Sequence, residues 1–68
     1  MAKKRVVVHL VESWEFEIDQ PEWAEKIAYY WDEKGLWVDA SGVGRSETMG
    51  FFPMSQVRAV LLREVPDG

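Results

Sequence analysis

The sequence predicts a small α+β domain in which an antiparallel sheet of about four strands carries one helix on a face. Two observations lead to this fold class. Residues 6–18, VVVHLVESWEFEI, alternate between two faces with a period of two, which is typical of a strand. Residues 21–34 place their apolar side chains in one broad arc at ~100° per residue, which is typical of an amphipathic helix. The predicted order is β-α-β-β-β, in a single domain spanning residues 1–68.

Length and composition limit how such a domain is stabilised. The chain has 68 residues, no cysteine and a single histidine, so we predict no disulfide, no metal site and no cofactor. A core of this size supplies only about 3–5 kcal/mol. The chain has four tryptophans. We expect the burial of these side chains, together with self-association as a homodimer, to add to the stability that the small core supplies. No segment approaches the ~20 apolar residues of a membrane helix, and we expect a cytoplasmic protein.

The first predicted strand runs from residue 6 to residue 18. One face carries Val6, Val8, Leu10, Trp14, Phe16 and Ile18. The opposite face is apolar around His9, where Val7 and Val11 flank it, and becomes polar from Ser13 to Glu17. We therefore expect cover on both faces near the beginning of this strand and water on one face near its end.

The second predicted element is a helix over residues 21–34. Asp19 or Gln20 before Pro21 is a helix-start signal, and Gly35 is a stop signal. Its core-facing side chains would be Trp23, Ala24, Ile27, Ala28, Tyr30 and Trp31.

An alternative to this helix stays open. The segment IAYYW at residues 27–31 has high β-propensity, and residues 32–35 would turn the chain into a strand at 36–38. In that case residues 27–41 form a hairpin, and the domain is an all-β small barrel.

Three strands follow, at residues 36–41, 46–52 and 57–65. The segment Gly42–Arg45 reads as a hairpin turn, since a phosphate cradle would need a helix after the glycines. Pro53 ends regular pairing because it lacks an N–H group.

The second half of the chain resembles a group of known proteins. The motifs that carry the resemblance are Leu36-Trp37-Val38, Phe52-Pro53-Met54-x-x-Val57 and Val60-Leu61-Leu62. Together with the glycine turn they resemble the closing strands of very small uncharacterised proteins from phages of actinobacteria. The resemblance implies a small accessory protein acting on a host component, and it supplies no catalytic residue.

Composition favours a non-enzymatic interaction module. The net charge is −4, and acidic residues are concentrated between residues 12 and 33, which favours a basic protein partner. The predicted partner-binding residues are Glu15, Glu17, Glu22, Glu25, Asp32 and Glu33. The predicted self-association residues are Val7, His9, Val11, Met49, Phe51 and Met54. No catalytic residue is predicted, because His9 has no neighbouring nucleophile in the sequence and the adjacent glutamates fit a solvated face.

Nucleic-acid binding is the main alternative function. It would use Lys3, Lys4, Arg5, Arg45, Arg58 and Arg63, provided that the fold brings them to one side. Trp23, Tyr30 and Trp31 would then serve as a platform on which bases stack. Acidic mimicry of a nucleic acid is a third possibility.

Overall fold

The computed structural model describes residues 3–65, which form six strands and one 3-10 turn. The strands are β1 (Lys3–Leu10), β2 (Glu15–Asp19), β3 (Lys26–Trp31), β4 (Gly35–Gly42), β5 (Arg45–Pro53) and β6 (Val57–Val65), with the 3-10 turn at Met54–Gln56. They build two three-stranded sheets in which all neighbours are antiparallel. Sheet A has the order β2-β1-β6, and sheet B has the order β3-β4-β5. The described part of the chain is therefore an all-β domain, and the predicted α+β fold is wrong.

The core lies between the two sheets. Its buried members are Val6, Val8, Ile18, Ala24, Ile27, Leu36, Val38 and Ala40. Leu36, Val38 and Ala40 are fully buried and alternate along β4, so one face of this central strand lies wholly in the core. The Cα atoms span 33 × 27 × 11 Å, and the short dimension fits two sheets packed ~10 Å apart.

The single long strand predicted for residues 6–18 is wrong, because a turn divides it. The backbone N–H of Leu10 donates to the carbonyl oxygen of Trp14 at 2.8 Å, and Ser13 has a φ of 68°. After this turn, β2 returns along β1, with Val8 opposite Phe16. This register pairs even-numbered residues with even-numbered residues, so the same alternation continues on the same face across the turn. A period-two pattern therefore could not reveal the break.

The helix predicted for residues 21–34 is also wrong. Pro21 lies in a turn, where its carbonyl oxygen accepts a hydrogen bond from Ala24 N–H at 3.1 Å and the Gln20 side-chain amide donates to the carbonyl oxygen of Ala24 at 2.9 Å. Residues 26–31 are β3, paired with β4 along its whole length. β4 is buried at the centre of sheet B, and its backbone groups need hydrogen-bond partners on both sides. Those partners come from β3 and β5.

The hairpin considered as the alternative is present at residues 27–41, within one of the two sheets. Trp31, expected as a core residue of the helix, is 47% exposed at the end of β3. The strands predicted at 36–41, 46–52 and 57–65 are confirmed, each with small extensions or none. Gly44, with a φ of 66°, forms the predicted turn between β4 and β5.

Two β-bulges interrupt the alternation. One lies between β4 and β5, after Val38, and the other between β1 and β6, after His9. A bulge places an extra residue in one strand, so the side chains on its two sides no longer alternate regularly between the faces of the sheet. As a result, Met49 and Phe52 both pack against the core, although they are an odd number of positions apart.

Candidate functional site

The outer face of sheet B carries three aromatic side chains in contact across its three strands. Since Leu36 and Val38 point into the core, Trp37 between them points outward. Tyr30 on β3 and Phe51 on β5 are its cross-strand partners. The Tyr30 and Trp37 rings are stacked, with centroids 6.4 Å apart, and the Phe51 ring is tilted against Trp37 at 4.4 Å. We call Tyr30, Trp37 and Phe51 the aromatic row.

The aromatic row is exposed enough to be a binding surface. Tyr30 is 47% exposed and Phe51 is 39% exposed, while Trp37 between them is half-buried. Aromatic side chains in such an arrangement offer a large apolar area at low cost in conformational entropy.

Asp32 in the turn between β3 and β4 holds the central tryptophan. Its Oδ1 accepts hydrogen bonds from the backbone N–H groups of Lys34 at 2.8 Å and Gly35 at 3.0 Å. Its Oδ2 accepts one from the indole Nε1–H of Trp37 at 2.8 Å. Desolvation opposes ionisation of Asp32, but these hydrogen bonds outweigh it and hold the pKa of Asp32 below its usual value. One carboxylate therefore orders both the turn and the aromatic row.

This arrangement predicts a pH-dependent tryptophan. A carboxyl whose pKa is lowered by folding stabilises the folded state above its unfolded pKa of about 3.9, and this stabilisation is lost as the pH falls through the folded pKa. We expect the indole Nε1–H resonance of Trp37 to keep its position down to the unfolded pKa of about 3.9 and to shift only at lower pH. An NMR titration of the protein and of Asp32→Asn tests this. An indole resonance that titrates equally in both proteins would contradict the role of Asp32.

A second carboxylate lies in the next position along the outer face. Asp39 on β4 stands between Ala28 on β3 and Thr48 on β5. Its Oδ1 is buried and accepts no hydrogen bond within the part of the chain that the structure describes. Desolvation raises the pKa of Tyr30, and the negative charges of Asp39 and Asp32 raise it further. The aromatic row thus has a carboxylate on each of two sides, Asp32 in the turn and Asp39 on β4.

The two aspartates beside the aromatic row have no cation paired with them in the described part of the chain. Among residues 3–65, neither Asp32 nor Asp39 forms a salt bridge. On the outer face of sheet A, by contrast, Arg5 makes a two-contact pair with Asp19, with a shortest distance of 2.5 Å. The hydrogen bond from Arg5 holds the pKa of Asp19 below its usual range, although desolvation opposes it.

The predicted partner-binding acids do not form one surface. Glu15 and Glu17 lie on the outer face of sheet A, where Glu17 contacts Arg5 at 3.5 Å and Glu15 lies 3.4 Å from His9 Nδ1. Glu22 pairs with Lys3 at 2.6 Å.

Of the other three predicted partner-binding acids, two lie beside the aromatic row. Glu25 lines a shallow depression of about 280 Å³ together with Lys26, Ser41 and Gly42. Asp32 and Glu33 lie in the turn beside the aromatic row.

The predicted self-association residues are also distributed over the molecule. Val7 is buried, and His9 is half-buried on the outer face of sheet A. Val11 lies in the turn between β1 and β2, where its N–H donates to Gln56 in the 3-10 turn that also contains the exposed Met54. Met49 packs against the core, and Phe51 belongs to the aromatic row.

Three of the six predicted nucleic-acid-binding cations pair with acids of the same chain. Lys3 and Arg5 pair with acids as described, and Arg45 contacts Glu47 at 2.5 Å. The Arg45 guanidinium also lies 4.1 Å from the ring centroid of Trp23. Lys4, Arg58 and Arg63 lie on strands of sheet A, away from the aromatic row.

Of the three residues predicted to form a stacking platform, only Tyr30 belongs to the aromatic row. Trp37 at its centre was not among the predicted site residues. The signal that identifies it is the alternation of Leu36, Val38 and Ala40, which requires Trp37 to point away from the core.

In residues 3–65, no helix is long and apolar enough to cross a membrane, and no group of three or more acidic or histidine side chains could hold a metal ion. Comparisons with protein families, curated proteins and solved structures give no match. The resemblance to small phage proteins stays a prediction.

Proposed function

We propose that this protein is a non-enzymatic interaction module that binds a cationic segment of a partner protein on the aromatic row. The observation that carries the proposal is an exposed set of contacting aromatic rings, Tyr30, Trp37 and Phe51. Beside them lie Asp32 and Asp39, two carboxylates that form no salt bridge within residues 3–65. Aromatic faces attract cations, and nearby carboxylates add charge-assisted hydrogen bonds.

Arginine fits this surface better than lysine. A guanidinium stacks flat on an aromatic ring and can donate to two carboxylates at once, whereas an ammonium is a more strongly hydrated point charge. The molecule already contains such an arrangement, since Arg45 lies over Trp23 while it donates to Glu47. The aromatic row offers the same two components to an arginine from outside the chain.

The row is also ordered before any partner arrives. Asp32 holds the indole of Trp37 through a hydrogen bond, and the rings on both sides contact it. A surface ordered in advance loses less conformational entropy on binding. Asp32 therefore contributes both negative charge and the orientation of the central ring.

A direct test uses a capped peptide with two arginines, titrated into isotopically labelled protein and followed by NMR and tryptophan fluorescence. We expect the largest chemical-shift changes at Tyr30, Trp37 and Phe51. Trp37→Ala should weaken binding roughly tenfold or more, as the loss of a central aromatic contact does. Trp14→Ala is the matched control, because Trp14 is 67% exposed outside the row, and it should bind within roughly twofold of the unchanged protein.

Two results would overturn the proposal. The first is a set of shifts centred on Glu15 and Glu17 rather than on the row. The second is tighter binding of a single-stranded oligonucleotide than of the arginine peptide, with an affinity that falls steeply with salt. That second result would instead support nucleic-acid binding.

A further inference from the structure

We infer that two copies of this chain associate through the free edge of β6, joining their A sheets into one six-stranded sheet. β6 is an edge strand in the described part of the molecule, since its one neighbour is β1. An edge strand presents unpaired backbone N–H and C=O groups, which form a template for another strand. This surface is separate from the aromatic row on sheet B, so the two proposals succeed or fail independently.

Comparison of the four edge strands indicates that β6 offers the longest stretch without a proline, a glycine or a bulge, at residues 59–65. β2 has five residues, and three of them are the acids Glu15, Glu17 and Asp19. β5 is interrupted by a bulge and ends at Pro53. β3 has six residues. β6 has nine residues, VRAVLLREV, with neither proline nor glycine. Short strands, charges, bulges and prolines are the usual protections of an edge. β6 has a bulge at Arg58 and three charged side chains, but residues 59–65 after the bulge are still longer than the whole of β3.

The apolar surface of β6 is unusual for a free edge. Leu61 is 41% exposed and Leu62 is 42% exposed, and consecutive residues of a strand face opposite sides of the sheet. Both faces of the sheet therefore have exposed leucine at this edge. A second strand laid alongside would cover both leucines at once, which a partner docking on only one face could not do.

The sequence of β6 is complementary to itself in antiparallel orientation. The two-fold register that pairs all nine residues is centred on Leu61, which then meets its own copy. In this register Val60 lies opposite Leu62, and Ala59 lies opposite Arg63. Arg58 lies opposite Glu64 at each end, so the register forms two symmetric ion pairs and places no like charges opposite each other. A two-fold contact of this kind closes on itself and does not polymerise.

The first test is the mass in solution, measured by light scattering coupled to size exclusion and by sedimentation from about 1 µM to about 500 µM. We expect a dimer of twice the 7.9 kDa chain mass at the upper concentrations. Leu61→Lys should give a monomer, since it places two lysines on the axis. A folded monomer throughout this range for the unchanged protein would overturn the proposal.

Charge exchange tests the register itself. Arg58→Glu and Glu64→Arg should each weaken the dimer at least about fivefold, because each places like charges opposite each other. The double variant again places a negative charge opposite a positive one, with the two signs exchanged, and should recover dimerisation. Equal dimerisation of all four proteins would exclude this register.

A crosslinking experiment remains informative even where a charge variant folds poorly. The chain has no cysteine, so a single introduced thiol reports one contact. Residues on the two-fold axis of antiparallel strands have Cα atoms about 4.5–5.5 Å apart, within disulfide range. Leu61→Cys should form an intermolecular disulfide much faster than Val43→Cys, whose side chain is 89% exposed in the turn between β4 and β5. Equal rates would overturn the pairing.

Discussion

Replacing Leu36 with alanine is expected to leave most molecules unfolded at 25 °C. Leu36 is fully buried at the start of β4 and is one of the four largest side chains enclosed by the two sheets. Truncation of a buried leucine to alanine costs about 2–5 kcal/mol, through lost burial and the cavity left behind. A domain of this size has only about 3–5 kcal/mol of total stability. The expected loss of stability is therefore comparable to the total stability of the domain.

Urea unfolding followed by circular dichroism measures this effect, and Val43→Ala supplies the control. It truncates an aliphatic side chain that is 89% exposed in the turn between β4 and β5, so it should cost less than about 1 kcal/mol. If Leu36→Ala and Val43→Ala were equally stable, Leu36 would not be at the centre of the core.

The second large effect is expected at Gly35, the first residue of the buried strand β4, directly after the turn held by Asp32. Its φ of +157° lies in the region that favours glycine, and a Cβ atom would overlap the carbonyl oxygen of Phe52 and approach the Met54 nitrogen to 2.8 Å. These are backbone atoms, so they cannot move aside as a flexible side chain would. Gly35→Ala should therefore destabilise the domain by about 3 kcal/mol or more.

The chain offers a closely matched control at Gly44. This glycine has a φ of +66°, but no atom lies within 4 Å of the position of an added Cβ. Gly44→Ala should therefore lower the free energy of unfolding by only about 1–2 kcal/mol, the amount by which a left-handed conformation is unfavourable for alanine. Thermal unfolding of the two variants separates steric overlap from backbone strain. Equal losses of melting temperature would mean that the contact with Phe52 is relieved without cost.

Gly35→Ala also links stability to the aromatic row. The Gly35 N–H donates to Asp32, which holds the indole of Trp37. Movement of the turn should therefore release Trp37 even in molecules that stay folded. We expect the indole resonance of the variant to lose the pH dependence predicted for the unchanged protein.

Local sequence patterns predict single residues of the candidate site but not which of them lie together. Asp32 and Phe51 are both among the predicted binding residues, but in two different groups. Tyr30 is predicted to form a base-stacking platform together with Trp23 and Trp31. Their actual neighbour is Trp37, which lies on a third strand. Strand register places these rings side by side, and register depends on pairing between segments far apart in the sequence.

The two errors of fold prediction have one physical origin. Apolar spacing in residues 21–34 fits a helical arc, and the same residues also fit a strand in which Ile27 and Tyr29 face the core. Alternation in residues 6–18 fits one strand or a hairpin equally well, because the turn preserves the parity of the pairs. In both segments the local pattern allows two structures, and contacts with β4 and β1 select one of them.

The sequence by itself determined the later strands and the turn at Gly42–Arg45, where alternation and glycine act over a few residues. It also determined the absence of disulfides and the scarcity of histidine. Only the tertiary structure decided that residues 26–31 are a strand and that two sheets enclose the core. It also decided which aromatic rings meet on the surface. The reason is that a buried central strand such as β4 requires hydrogen-bond partners on both sides, and distant segments must supply them.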